Sequence, residues 1–169
     1  MRRFISALAI IATVLLVSLV GAKPVYAESP QDAEALSGLN EVKVAFDMQT
    51  GNSAALLKQL EVIEETRDSL IKQGVKPSFV ITFRGPATKL VQTDPSQIAA
   101  EDRANASTIA GKIRALKVAE GISNIEQCAV AVRLAGTKQE NVLPEIKVVG
   151  NGWISLMAYQ AKGYGYIAP

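Results

Sequence analysis

The chain has 169 residues, 49% of them hydrophobic, with one cysteine, no histidine and a formal net charge of +2. The lack of histidine excludes Ser-His-Asp and Cys-His catalysis, histidine metal sites and imidazole acid–base chemistry. A single cysteine excludes an internal disulfide and a four-cysteine zinc site.

The chain opens Met1-Arg2-Arg3 and then runs apolar from Phe4 to Ala22, interrupted by Ser6, Thr13 and Ser18. Pro24-Val25-Tyr26-Ala27 follows, with small residues suited to cleavage after Ala27. This order of charged, apolar and small-residue regions reads as a secretory signal peptide over residues 1–27, hence a periplasmic protein. The alternative is a retained anchor, because the apolar run is near bilayer-spanning length. Removing residues 1–27 removes Arg2, Arg3 and Lys23 and no acid, leaving 15 basic and 16 acidic residues, a net of −1. The basic excess is then no argument for nucleic acid, and no nucleic-acid partner is expected.

Residues 28–40, with Pro30 and Gly38, read as a flexible leader containing a short helical turn. Glu41 to Asp47 alternates and then turns apolar, as a strand does. Met48 to Asn52 is a loop, and Ser53 is a candidate cap for the helix that follows. Leu56, Leu57, Leu60, Ile63, Leu70 and Ile71 recur there at helical spacing. Glu61, Glu64, Glu65 and Asp68 fill the solvated face, where a metal or carboxylate pair is not expected. Gly74 ends the helix. Lys76 to Phe83 is an apolar run of strand length, suited to a sheet covered on both faces, and Arg84-Gly85-Pro86 stops it.

Ala87 to Val91 is one helical turn. Gln97 to Glu120 is one long helix or two short ones, ended by Gly121. Ile122 to Glu126 is a strand, Cys128 opens an apolar segment that runs to Leu134, and Ile146 to Val149 is a short strand. Gly150-Asn151-Gly152 is a turn, Trp153 to Lys162 a helix and Tyr164 to Ile167 a last strand. The alternation argues an α/β domain with a largely parallel sheet and right-handed crossovers. In such a sheet ligands bind outside the strand C-termini. The loops placed there are Asp47 to Asn52, Arg84 to Pro86, Gln127-Cys128 and Gly150 to Trp153.

Cys128 is the strong nucleophile candidate, because a thiol between a strand and a helix N-terminus is biased toward the thiolate. The bland alternative is an inert cysteine packed among Ala129, Val130 and Ala131. Arg84 is either an anion-binding guanidinium or a surface arginine paired with a carboxylate. Asp47 reads first as a loop residue bonding local N–H groups. Gly150-Asn151-Gly152 lacks the third glycine of a dinucleotide fingerprint, Ser155 standing there, so a sharp turn is the reading and no cofactor is implied. Trp153 reads as core or interface packing, with ligand stacking as the alternative. Asn105-Ala106-Ser107 matches a glycosylation sequon inside a predicted helix.

Four segments together resemble the sulfur-relay superfamily that includes the DsrE and DsrF proteins. Val42 to Asp47 resembles its first strand, and Phe79 to Phe83 with Arg84-Gly85-Pro86 its second strand and Gly-Pro exit. Gly121-Ile122-(x)5-Cys128 resembles the stretch that carries the family cysteine. Val148 to Trp153 with Tyr159 to Tyr164 resembles the closing strand and helix and the Gln-x-x-Gly-Tyr ending. The resemblance covers residues 41–169. It implies a three-layer α/β/α sandwich on a five-stranded, mainly parallel sheet, and homo-oligomers, often trimers or hexamers. It also implies that Cys128 accepts and passes sulfur as a persulfide, from a small sulfur compound or a sulfur-donor protein. Arg84, Gly85, Asn151, Gly152 and Trp153 would line the ligand site, without a metal. The chain departs from the cytoplasmic relay members in its export signal and in having no second cysteine. A non-catalytic oligomeric binding module of the same fold is the second expectation, since fold does not fix function.

Overall fold

A computed structural model describes residues 31–169; the expected signal segment and residues 28–30 lie outside the described residues. The strands are β1 (Glu41–Met48), β2 (Lys76–Phe83), β3 (Ile122–Cys128), β4 (Lys147–Val149) and β5 (Gly165–Ile167). The helices are α1 (Ser53–Lys72), α2 (Arg103–Lys117), α3 (Ala129–Leu134) and α4 (Gly152–Ala161). The sheet order is β4-β3-β2-β1-β5, and every strand pair is parallel. The α/β class with a parallel sheet is therefore as the alternation predicts, and the five strands are the number the resemblance implies. No described helix is long and apolar enough to cross a membrane.

Side-chain alternation divides the strands between two faces. Val44, Phe46 and Met48 of β1, Phe79, Ile81 and Phe83 of β2, and Ile125 of β3 share one buried core with Leu56, Leu60 and Ile63 of α1 and Ile109, Ile113 and Leu116 of α2. The opposite face carries Ala45, Asp47, Val80, Thr82, Asn124, Glu126 and Cys128. On it Glu126 meets Ser155 and Tyr159 of α4, and Cys128 meets Gly152.

The order of connections explains this division. From β1 to β4 the chain steps in one direction across the sheet, and right-handed crossovers keep α1 and α2 on one face. From β4 to β5 it steps back over the whole sheet, so α4 covers the other face. The exits of β3 and β4 thus diverge, and a crevice opens outside their C-termini.

Local chemistry accounts for the differences from the expected boundaries. Asn52, not Ser53, caps α1: its Oδ1 accepts the Ala55 N–H at 2.8 Å. Ser53 is buried inside the first turn, where its N–H donates to Asp102 Oδ1 at 2.8 Å. The stretch expected as helix from Gln97 is irregular until Arg103, because Pro95 and the Asp94 side chain, which accepts the Ser96 N–H, fix short 3-10 turns first. In the leader, residues 33–38 form turns, Leu36 packs on the core, and the Asp32 N–H donates to Gln73. The sequon residue Asn105 lies in α2 and donates to Ser53 Oγ at 2.9 Å.

Candidate functional site

The crevice holds a cavity of about 600 Å³. Arg84, Gly85, Pro86 and Lys89 line it from the exit of β2, Cys128 from the end of β3, Val130, Ala131, Leu134 and Ala135 from α3 and its end, and Asn151 and Trp153 from the start of α4. Three of the four strand-end loops expected to carry ligand residues therefore converge. The fourth, after β1, abuts them: a Cβ on Gly51 would lie 2.8 Å from Pro86 Cβ.

Cys128 is 5% exposed, and its Sγ accepts the Gly152 N–H at 3.1 Å. The expected helix N-terminus is thus present but is a different one. Cys128 makes no side-chain bond to the six-residue α3 that it precedes. Its position on the α4 face of β3 points it instead at the first N–H of α4, where the helix dipole favours negative charge. This approach requires glycine, since a Cβ at Gly152 would lie 2.9 Å from Cys128 Cβ and 3.4 Å from both Sγ and Thr82 Cγ2. The Gly150-Asn151-Gly152 turn is a cap: Asn151 Oδ1 accepts the Trp153 N–H at 2.9 Å.

Arg84 is paired with a carboxylate, the second of its two sequence readings. Its Nε and one terminal nitrogen donate to the two oxygens of Asp47 at 2.7 and 2.5 Å, and it also lines the cavity. Asp47 is buried; the local bonding expected of it is met by one loop side chain, Gln49, from which it accepts at 2.9 Å, and it also accepts from the Tyr166 hydroxyl at 2.5 Å. The reason is its place on the α4 face of β1, level with Thr82, which aims it across the sheet toward Arg84. Burial draws the Arg84 pKa down, but the bond to Asp47 and its charge outweigh this, and the net shift is upward. Trp153 is no core residue: it is 61% exposed, with the Arg84 guanidinium 5.7 Å from its ring centroid.

Sequence reasoning missed two contributors, Lys89 and Glu126. Lys89 sits in the 3-10 segment Gly85–Val91, which Gln127 of β3 anchors by donating to Thr88 Oγ1 at 3.0 Å. Its signal was faint, one lysine in an apolar turn. Gln127, expected beside Cys128 at the ligand edge, instead faces away from the cavity, on the α1 and α2 side, because successive strand residues point to opposite faces. Glu126 is buried beneath α4 and accepts from Asn124 at 2.6 Å, from Tyr159 at 3.1 Å and from Ser155. An acid alternating with Cys128 in a strand was the available clue. Desolvation, opposed by Asn124 and reinforced by Glu126, raises the Tyr159 pKa.

No family model matches the chain. An uncharacterized protein of Aquifex aeolicus (strain VF5) is 26% identical over 126 residues, covering 75% of this chain and 55% of that one. The chain thus spans about half the length of the curated relative it matches. A solved protein of unknown function from Methanobacterium thermoautotrophicum aligns with a TM-score of 0.54 and 17% identity, over 76% of this chain and 99% of that one. This likeness confirms the α/β fold.

Two outcomes are expected. Gly152→Ala pushes the start of α4 away from Cys128, so the variant loses about 1–3 kcal/mol of stability in urea unfolding, and iodoacetamide alkylates Cys128 severalfold faster. An unchanged alkylation rate would show that the Gly152 contact does not control the thiol. The Tyr166 pKa is raised above its ordinary value of about 10, first by its bond to Asp47. The folded state holds this proton more tightly than the unfolded chain. The contribution is therefore complete below about pH 10 and is lost as the pH rises through the folded pKa. Tyr166→Phe should flatten the fall in stability above about pH 10, measured by urea titration at each pH; an identical slope would count against the contact.

Proposed function

We propose that the protein is an exported sulfur carrier of the DsrE-like kind, in which Cys128 holds sulfane sulfur as a persulfide. The observation that carries this reading is the junction at the crevice. The one cysteine of the chain accepts an N–H from the start of α4 and lines a cavity shared with Arg84 and Lys89. The reading is also supported by the motif resemblance over residues 41–169 and by the signal-like segment at residues 1–27.

The chemistry needs a sulfane-sulfur donor and no redox cofactor. The Cys128 thiolate attacks the outer sulfur of a donor R–S–SH. An Sγ–S bond forms, the donor S–S bond breaks, and its electron pair leaves on R–S⁻. Delivery is the same exchange with an acceptor thiolate. The Gly152 N–H at the positive end of α4, with the charge of Lys89 in the same cavity, stabilises the anion on the added sulfur. Burial of Sγ limits access to reagents that enter the cavity, which protects the persulfide from bulk solvent.

A second reading has its own observation. Leu134, Trp153, Ile154 and Met157 are exposed around the cavity mouth and along α4, as in a contact surface of a homo-oligomeric binding module. Oligomers, trimers or hexamers in the resembling family, are compatible with either reading.

Whole-protein mass spectrometry after incubation with polysulfide or thiosulfate separates the two. The carrier gains 32 Da on Cys128, and Cys128→Ser gains nothing. An accessible thiol that never gains this mass, with Cys128→Ala preserving function in cells, would leave the binding module. Met157→Glu should reduce the mass measured by light scattering toward one protomer if α4 forms the subunit contact; an unchanged assembly would exclude that surface.

A further inference from the structure

We infer that the cavity beside Cys128 accepts an organic monoanion, a charged head on an apolar body, and so selects an organic sulfane-sulfur donor such as a thiosulfonate over inorganic thiosulfate. The donor chemistry rests on the persulfide reading above; the binding preference does not.

Three features of the cavity carry this. The first is size. About 600 Å³ lies within the range of small-molecule sites, and a small inorganic anion would leave most of it to water. The second is the wall. Val130, Leu134, Ala135 and Trp153 present apolar surface, and Leu134 is 74% exposed although nothing in the described chain covers it. A carbon body laid there would remove that surface from water, a gain thiosulfate cannot offer. The third is charge. Arg84 is committed to buried Asp47 through two hydrogen bonds, so the pair is formally neutral. Lys89 lines the same cavity and has no ion pair or hydrogen-bond partner among the described residues. The cavity therefore offers one uncompensated positive charge, which matches one negative head. Asn151 adds a polar group at that wall: its Oδ1 is used in capping α4, and its Nδ2 donates to nothing among the described residues.

With a thiosulfonate R–SO2–S⁻, the Cys128 thiolate attacks the terminal sulfur. The Sγ–S bond forms, the sulfur–sulfur bond of the donor breaks, and R–SO2⁻ leaves with the electron pair. Two negative charges enter and two remain, as the persulfide anion and the sulfinate. No oxidant or reductant is consumed. Lys89 would hold the donor's charge, and the apolar wall its R group.

The test uses the full chain and two readouts. Benzenesulfonate, an unreactive monoanion, should slow alkylation of Cys128 by iodoacetamide, and sulfate at equal ionic strength should not. Benzenethiosulfonate should load 32 Da on Cys128 about tenfold faster than thiosulfate, after each rate is divided by that donor's rate with free cysteine. Lys89→Met should lower the ratio of the benzenethiosulfonate rate to the neutral iodoacetamide rate by about two- to fivefold, the upper range of one exposed charge pair. Leu134→Ser should weaken benzenesulfonate protection. Both residues are exposed, so the variants should fold. Absence of protection, or equal normalised donor rates with Lys89→Met unchanged, would overturn the inference. Protection without persulfidation by any donor would uphold the site and overturn the carrier reading; persulfidation without protection would do the reverse.

Discussion

The site depends on how closely α4 begins to the end of β3. A helix that covers a sheet normally stands off by the length of its side chains. Here the first helical residue is Gly152, and its N–H rests on Cys128 Sγ. The lack of a side chain at that one position lets the positive end of a ten-residue helix reach the thiol. Any larger residue would collide with Cys128 and press against Thr82. The same contact fixes the mouth of the cavity, because Asn151 and Trp153 flank Gly152. The rest of the α4 face is arranged to accept it: Glu126, two residues before Cys128, takes bonds from Ser155 and Tyr159 and so ties the next turns of the helix to β3.

A second set of bonds holds the other wall. Asp47, Arg84 and Tyr166 come from the ends of β1 and β2 and from β5, and meet at one buried carboxylate. Burying a carboxylate alone would be costly; two bonds from a guanidinium and one from a phenol offset that cost. The result is an arginine that cannot swing freely, with its guanidinium carbon over the Trp153 ring. It contributes shape and hydrogen-bonding order to the cavity more than net charge. Net charge falls to Lys89, which the Thr88–Gln127 bond holds near the crevice. The C-terminal strand β5, short and exposed, thereby gains a part in the site through Tyr166.

Much of the fold was legible because its signals are local. The apolar run from Lys76 to Phe83, the helical spacing of Leu56, Leu60 and Ile63, and the glycines that end elements each act within a few residues. The crevice was legible as well, since alternating strands and helices put their exits at one edge. Cys128, Arg84, Gly85, Asn151 and Trp153 do line one cavity, and Gly152 bonds the thiol. What could not be read was partnership across the sheet. The register that sets Asp47 level with Thr82 is a long-range property, so Asp47 looked like an ordinary loop acid. The helix that meets Cys128 is likewise separated from it by β4, so the neighbouring α3 looked like the source of the N–H. Lys89 and Glu126 gain their meaning only from what surrounds them.

The most direct test of the account is a crystal structure of the protein after reaction with polysulfide, at a resolution that shows single sulfur atoms. The account predicts one added sulfur bonded to Cys128 Sγ and directed into the cavity between Arg84 and Trp153, with the Gly152 N–H still within hydrogen-bonding distance of the thiol sulfur. An unmodified Cys128 from crystals in which the same donor converts a small thiol to its persulfide, or a cysteine turned away from Gly152 and sealed from the cavity, would contradict it.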